Sequence, residues 1–214
     1  MEIVIHRRII DFLRIFFEIM KTPVDHNNLE SHEEYFNHMQ TITLKANLYR
    51  RFYLYPRLIK FLPNKTLDIG CGLGSFQNFK NNVIGIDINS YCVDYCKSLG
   101  HQSFLYKKPP YHFTDCSFDS VLIDNVIEHI LEPTKIIQEI HRVLKPKGLC
   151  VVGVPGRVGF DAHADHKVFY EEESLTKLMQ KNGFSTIKLF YAPFKSDYFS
   201  KNLGAYCLYG VFKK

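Results

Sequence analysis

The chain carries no C-x-x-C pair, no unbroken apolar run of membrane-spanning length, no dense Lys/Arg tract, no internal repeat and no low-complexity segment. Each absence closes a class. Without paired cysteines, Cys71, Cys92, Cys96, Cys116, Cys150 and Cys207 are expected as reduced thiols of a cytoplasmic protein rather than as a disulfide framework. Without an apolar stretch of about 20 residues, no stable membrane insertion is expected. Residues 1–8 place charges on both sides of their apolar residues and offer no small-residue cleavage site, which makes a poor signal peptide. Without a basic stripe, an appended recognition domain or an Asn/Asp-Pro-Pro-aromatic tetrad, nucleic acid is not an expected partner.

What is present is 214 residues, 46% of them apolar, with a formal charge of +5 from 27 basic and 22 acidic side chains. That is enough for one domain with a sizeable core and too little for two of ordinary size. The least balanced part begins at Thr186, where Lys188, Lys195, Lys201, Lys213 and Lys214 face only Asp197. It reads as a solvated surface or as a patch for an anionic substrate or acidic lipid surface.

Residues 1–64 have a helical pattern. An amphipathic stretch at 9–20 with Phe12, Phe16, Phe17 and Ile19 suits packing on the core or a partner subunit, and surface contact with a membrane is the other use of such a face. Ser31-His32-Glu33-Glu34 has the form of a capping box, followed by Tyr35, Met39, Ile42, Leu44 and Leu48 at loosely helical spacing. From Thr66 the pattern alternates between strand and helix, which predicts right-handed crossovers and a parallel sheet. Strands are expected at 66–69, 83–88, 102–106, 117–123 and 149–154, with helices at 75–80, 91–99, 133–144 and 171–182. The last helix stops at Gly183, and two β-rich runs follow at 185–192 and 205–212, joined by a mostly polar loop.

The chemistry concentrates at 67–89. Leu67-Asp68-Ile69-Gly70-Cys71-Gly72-Leu73-Gly74 is a buried strand running into a glycine turn, and Gly85-Ile86-Asp87-Ile88-Asn89 ends the next strand on an acid. That acid stands about 20 residues past the first, the separation at which a carboxylate meets ribose hydroxyls. A dinucleotide site usually spells G-x-G-x-x-G and seats a pyrophosphate on a helix N-terminus. Here the glycines alternate as G-x-G-x-G, and Asp68 precedes them. A carboxylate there opposes a pyrophosphate and suits a cationic amine.

At these residues the chain resembles the class I S-adenosylmethionine-dependent methyltransferases, in a small-molecule, methyltransferase-11-like branch. Further segments are similar in the right order. They are Ser117-Phe118-Asp119 through Asp124-Asn125-Val126-Ile127-Glu128-His129, Arg142-Val143-Leu144-Lys145-Pro146-Lys147-Gly148 with the apolar run after it, and His166-Lys167-Val168-Phe169-Tyr170 through Asn182-Gly183-Phe184. The similarity covers roughly 65–190. It implies a Rossmann-like, doubly wound α/β sheet of seven strands, mostly parallel, whose sixth and seventh strands are antiparallel. A helical lid or appendage at 1–64 would cover a catalytic domain at 65–214.

The resemblance also implies S-adenosylmethionine as cofactor and S-adenosylhomocysteine as product. Gly70, Cys71, Gly72 and Gly74 would line the cofactor tail, Asp68 would steer its amine, Asp87 would hold the ribose, Ile88 would pack on the adenine face, and Asn125 would lie near the methionyl part. One departure stands out. Where many relatives carry an adenine-reading acid after the third strand, this chain has Tyr106-Lys107-Lys108-Pro109-Pro110-Tyr111, with no carboxylate before Asp115.

Transfer to a hydroxyl needs alignment, exclusion of water and a base. His166, in a loop with Asp161 and Asp165 that could orient it, is a candidate, against the alternative that it ties that loop to the next helix. His129 is the second candidate. His163, Asp165 and His166 can be read as metal ligands, but no spacing completes a site, so no metal is expected. The expected function is methyl transfer to a small-molecule or glycan- or lipid-linked precursor, at oxygen, by a monomer or homodimer. The alternative is a catalytically inactive binding or regulatory protein of the same fold.

Overall fold

The computed structural model describes residues 31–41 and 44–214; the amphipathic stretch at 9–20 and Ile42 lie outside them. Seven strands form one sheet: β1 (Thr66–Ile69), β2 (Val83–Asp87), β3 (Gln102–Leu105), β4 (Phe118–Asp124), β5 (Leu144–Pro155), β6 (Ser185–Ala192) and β7 (Cys207–Lys213), in the order β3-β2-β1-β4-β5-β7-β6. The pairs β1–β2, β1–β4, β2–β3 and β4–β5 are parallel. β7 is antiparallel to both β5 and β6, so β6 runs with the first five strands and only β7 runs against them. This is the expected mostly parallel sheet with an antiparallel last strand. The chain winds outward from β1 to β3, then returns to lay β4 on the other side of β1, and that reversal opens a crevice at the strands' carboxyl ends.

Alternation along each strand sends side chains to opposite faces. Val121, Ile123, Cys150, Val152 and Phe212 join one core with Ile137, Ile140 and Leu175. Their strand neighbours Leu122, Val151, Tyr209 and Val211 join a second core with Leu54, Tyr55, Leu58 and Leu62. The helical segment before β1 is therefore packed as one covering layer of the sheet. Leu58 and Leu62 are 0% and 1% exposed, burial worth roughly 1.5–3 kcal/mol each.

That segment comprises α1 (His32–Gln40), α2 (Leu44–Tyr49), a wide π-turn (Arg50–Leu54), α3 (Tyr55–Leu58) and a tight turn (Ile59–Phe61). The capping box at Ser31 is present, with Ser31 and Glu34 each bonding the other's backbone N–H. α1 buries none of its residues fully. It docks on α4 (Ser90–Ser98) through Phe36 against Tyr91 and Tyr95, and through Asn89 Nδ2 donating to the His32 carbonyl at 2.7 Å.

The remaining helices are α5 (Thr134–Val143), α6 (Arg157–Asp161), α7 (Glu172–Lys181) and α8 (Asp197–Asn202). No helix forms at 75–80. Gly70, Gly72 and Gly74 all have positive φ, and the chain leaves that turn in a run of further turns that reaches β2 without settling into a regular helix. α8 occupies part of the loop expected between the last two strands. All six cysteines are free thiols, and of these only Cys116 is exposed. Among the described residues no helix is long and apolar enough to cross a membrane.

Candidate functional site

The glycine turn is built by backbone bonds to the end of β2. The N–H groups of Gly70 and Cys71 both donate to the Ile86 carbonyl, at 2.8 and 3.1 Å, and Gly74 N–H donates to the Cys71 carbonyl at 2.9 Å. With φ of +77°, +50° and +72°, the three glycines occupy the left-handed region that side chains strain. A Cβ on Gly70 would also overlap Val126, and one on Gly72 would stand 3.1 Å from the Met39 terminal carbon of α1. Cys96 Sγ donates to the Gly72 carbonyl at 3.2 Å, bracing the turn from α4.

Asp87 locks this turn to its own strand. Its Oδ2 accepts from Gly72 N–H at 2.8 Å and its Oδ1 from Asn89 N–H at 2.9 Å. Each carboxylate oxygen can accept more than one bond, so the arrangement leaves room for ribose hydroxyls. Ile88 is 56% exposed beside it. Asp115, the first acid after β3, is held by Arg142.

Asp68 leaves β1 on the same face as Leu122 and Asp124 leave β4. It is 4% exposed, and burial first, then the carboxylates of Asp124 and Asp87, holds it well above the ordinary carboxylate range. Burial also raises Asp124, opposed by the Arg50 guanidinium and a hydrogen bond from Tyr209. Gly153 on β5 makes room for that pair, since a side chain there would overlap both Asp124 and Tyr209. Arg50, carried on the π-turn, and Met39 are site residues that strand and glycine patterns could not reveal, because chain folding alone brings them to β4 and the turn.

Asn125 follows with φ +54°, its N–H bonded to the Gly153 carbonyl at 3.0 Å and its Nδ2 to Asp124 Oδ1 at 3.1 Å. These are turn-forming bonds, and they set its side chain next to Asp124.

Beyond β4 and β5 lies a second group. Glu128 and His129 sit on a tight turn (Ile127–His129), and the Glu128 carbonyl accepts from Lys167 and Val168 N–H at 2.7 and 3.0 Å, which pins the 161–168 loop across them. His129 Nδ1 lies 2.9 Å from Asp165 Oδ2. Asp165 thus orients His129 rather than His166, while Asp161 pairs with Arg157 at 3.8 Å. His166 has its Nδ1 2.8 Å from the Phe160 carbonyl and stacks on the Phe160 ring. Its side chain is 5% exposed, against 34% for His129, so of the two candidate bases only His129 is open to a ligand. Burial pushes Glu128 up to about 8 and His129 below its ordinary value. Burial, with Asp87 and Asp165 among its neighbours, pushes the hydroxyl of Tyr35 on α1 up to about 12.

Residues 67–152 match the family profile described as a methyltransferase domain. That stretch runs from β1 through most of β5 and contains the glycine turn, Asp68, Asp87 and Asp124. Over it the chain is similar to the S-adenosylmethionine-dependent methyltransferases. An uncharacterized protein of Methanocaldococcus jannaschii is 29% identical over 140 residues, 60% of this chain and 68% of that one. A probable S-adenosylmethionine-dependent methyltransferase of Mycolicibacterium smegmatis is 28% identical over 55% of this chain and 51% of its own length. The chain thus spans between half and about two thirds of these relatives. A solved methyltransferase structure from Archaeoglobus fulgidus superposes with a TM-score of 0.62 at 20% identity, covering 79% of this chain and 99% of that one.

S-adenosylmethionine is the cofactor of this family, and the donor set fits it. Three carboxylates, Asp68, Asp87 and Asp124, gather where a sulfonium and an ammonium would be held, in a field that repels a pyrophosphate.

Proposed function

We propose that this methyltransferase transfers a methyl group to an oxygen of a small-molecule or glycan- or lipid-linked acceptor, with Asp68, Asp87 and the 70–74 turn holding the cofactor. What supports this is the succession of two unlike groups along one turn: Asp124 of the acidic crevice ends β4, and the turn after it carries Glu128 and His129 of the imidazole–carboxylate cluster with Asp165 and His166. When bound, S-adenosylmethionine supplies a sulfonium-borne methyl group whose in-line transfer to a hydroxyl leaves S-adenosylhomocysteine and a proton. His129, open and oriented by Asp165, faces the side on which the acceptor would bind. α1, with Tyr35 and Met39, excludes water from above.

A cleft of about 460 Å³ lies beyond the ends of β5 and β7, lined by Pro155, Arg157, Tyr170, Tyr191, Lys201 and Tyr206 among others. Arg157 lies over the Phe169 ring at 3.7 Å, and Phe169 meets Phe160 edge-on, next to His166. Arg157 and Lys201 suit an acceptor that carries an anionic group. Lys195 is engaged by Glu172 at 2.8 Å and Lys214 by the carbonyls of His141 and Leu144, so the basic tail serves the acceptor chiefly through Lys201.

Calorimetry tests the reading. S-adenosylhomocysteine is expected to bind in the micromolar range and NAD not at all. S-adenosylhomocysteine release is expected to be faster with anionic than with neutral hydroxylated acceptors. Tight NAD binding with no S-adenosylhomocysteine binding overturns it.

A further inference from the structure

The 161–166 loop and the turn after β4 bring five side chains with metal-ligating atoms together. One ligand atom from each of Glu128, His129 and His166 lies within 4.8 Å of the others, and the same holds for His163, Asp165 and His166. Two further observations distinguish this cluster from an ordinary polar surface. Glu128 is 0% exposed, and neither carboxylate oxygen has a hydrogen-bond partner among the described residues. Buried carboxylates are otherwise paired or coordinate metals.

The second observation concerns His166. A carbonyl oxygen only accepts, so His166 Nδ1 must carry the hydrogen it shares with Phe160, and the neutral ring presents the lone pair of Nε2. That nitrogen lies 4.0 Å from Glu128 Oε1. Two electron-pair donors facing each other in a buried site repel unless a proton or a metal cation joins them, and 4.0 Å is too long for a shared proton. An imidazole whose second nitrogen donates to a backbone carbonyl or a carboxylate is also the outer-shell arrangement of a ligating histidine. His166 has the carbonyl form, and His129, 2.9 Å from Asp165, has the carboxylate form.

The geometry points to a divalent transition-metal ion held by Glu128, His129 and His166. Two imidazoles and one carboxylate suit zinc or a similar ion, and they leave coordination positions for a ligand. Donors about 2.0–2.2 Å from zinc stand roughly 3.3–3.5 Å apart in a tetrahedral site, so the cluster closes onto an ion by small side-chain movements. What the ion does rests on the methyltransferase reading. It would hold the acceptor hydroxyl, whose O–H bond breaks and whose proton passes to solvent, a task that then falls to no side chain.

The full chain is stripped with a chelator, dialysed, and titrated separately with Co²⁺, Zn²⁺ and S-adenosylhomocysteine. Expected are one Co²⁺ per chain with the visible absorption of an imidazole- and carboxylate-bound ion, and its displacement by Zn²⁺. Glu128→Gln and His129→Ala should each weaken Co²⁺ binding at least tenfold. Because His129 is partly exposed, its variant keeps the test decisive if Glu128→Gln fails to fold. No Co²⁺ binding by the wild type, or equal affinity in the variants, overturns the site. Co²⁺ binding without S-adenosylhomocysteine binding supports the ion and overturns the methyltransferase reading; S-adenosylhomocysteine binding alone does the reverse.

Discussion

The two halves of the crevice are built by opposite means. The proposed cofactor half, at the ends of β1 and β2, is made of backbone: glycines at positive φ, N–H groups turned onto Ile86 and a carboxylate that locks the turn. The proposed acceptor half, beyond β4 and β5, is made of side chains on a loop, held by the Glu128 carbonyl and by ring contacts. A backbone cradle tolerates almost no substitution at its glycines but asks little of residues far away in sequence. A side-chain cluster depends on partners more than 30 positions apart, such as His129 with Asp165, and can be re-equipped by changing a loop.

The sharpest way to break this contrast is Gly72→Val. A branched side chain at φ +50°, against Met39, should lower S-adenosylhomocysteine affinity at least about 100-fold by calorimetry, roughly 2.7 kcal/mol, while circular dichroism keeps the native profile. Retained affinity would remove the turn from the site.

Next in size is Asp68→Asn. Its loss should weaken S-adenosylhomocysteine binding about 10–100-fold, in the range for a hydrogen bond to a charged group. It should also stabilise the empty protein. An acid whose folded pKa is raised keeps its proton in the native state after the unfolded chain has lost it. Stability therefore falls as pH rises from the ordinary aspartate value of about 3.9 through the raised one. The variant should lose that descent and melt about 2–4 °C higher at neutral pH, the shift expected per kcal/mol in a domain of this size. An unchanged melting curve at every pH would show that Asp68 bears no such strain.

The smallest effect belongs to Asn125→Gly. If Asn125 serves as a turn residue at φ +54°, glycine should hold the turn, with stability within about 0.5 kcal/mol and cofactor affinity within a factor of about three. A larger loss of affinity, measured in the same titration, would make its side chain a cofactor contact.

The same contrast explains what could be read in advance. Gly70, Gly72, Gly74 and Asp87 act through short-range geometry, so their spacing alone announces the turn. The strand positions follow from apolar alternation, and the 185–192 run coincides with β6. The expected helix at 75–80 is replaced by turns because three left-handed glycines impose a wide exit that local propensity does not register. The acceptor side was legible only as a list of polar residues. Which carboxylate serves which imidazole, and that Arg50 of the π-turn faces Asp124, depend on how the 161–168 loop and the N-terminal helices cross the sheet, and no local pattern carries that information.

The insertion of β7 between β5 and β6 has a bearing on how the chain reaches this state. β5 pairs on one side with β4, its neighbour in the first half of the winding, but its other edge waits for a strand that arrives only after α6, α7, β6 and α8. Until then Cys150 to Val154, an apolar run, presents an open edge of N–H and C=O groups, the kind that recruits other chains. Joining segments so distant in sequence is slow. The β5–β7–β6 flank of the sheet is therefore expected to be completed last, and crowding during refolding should penalise yield well before it affects the finished protein.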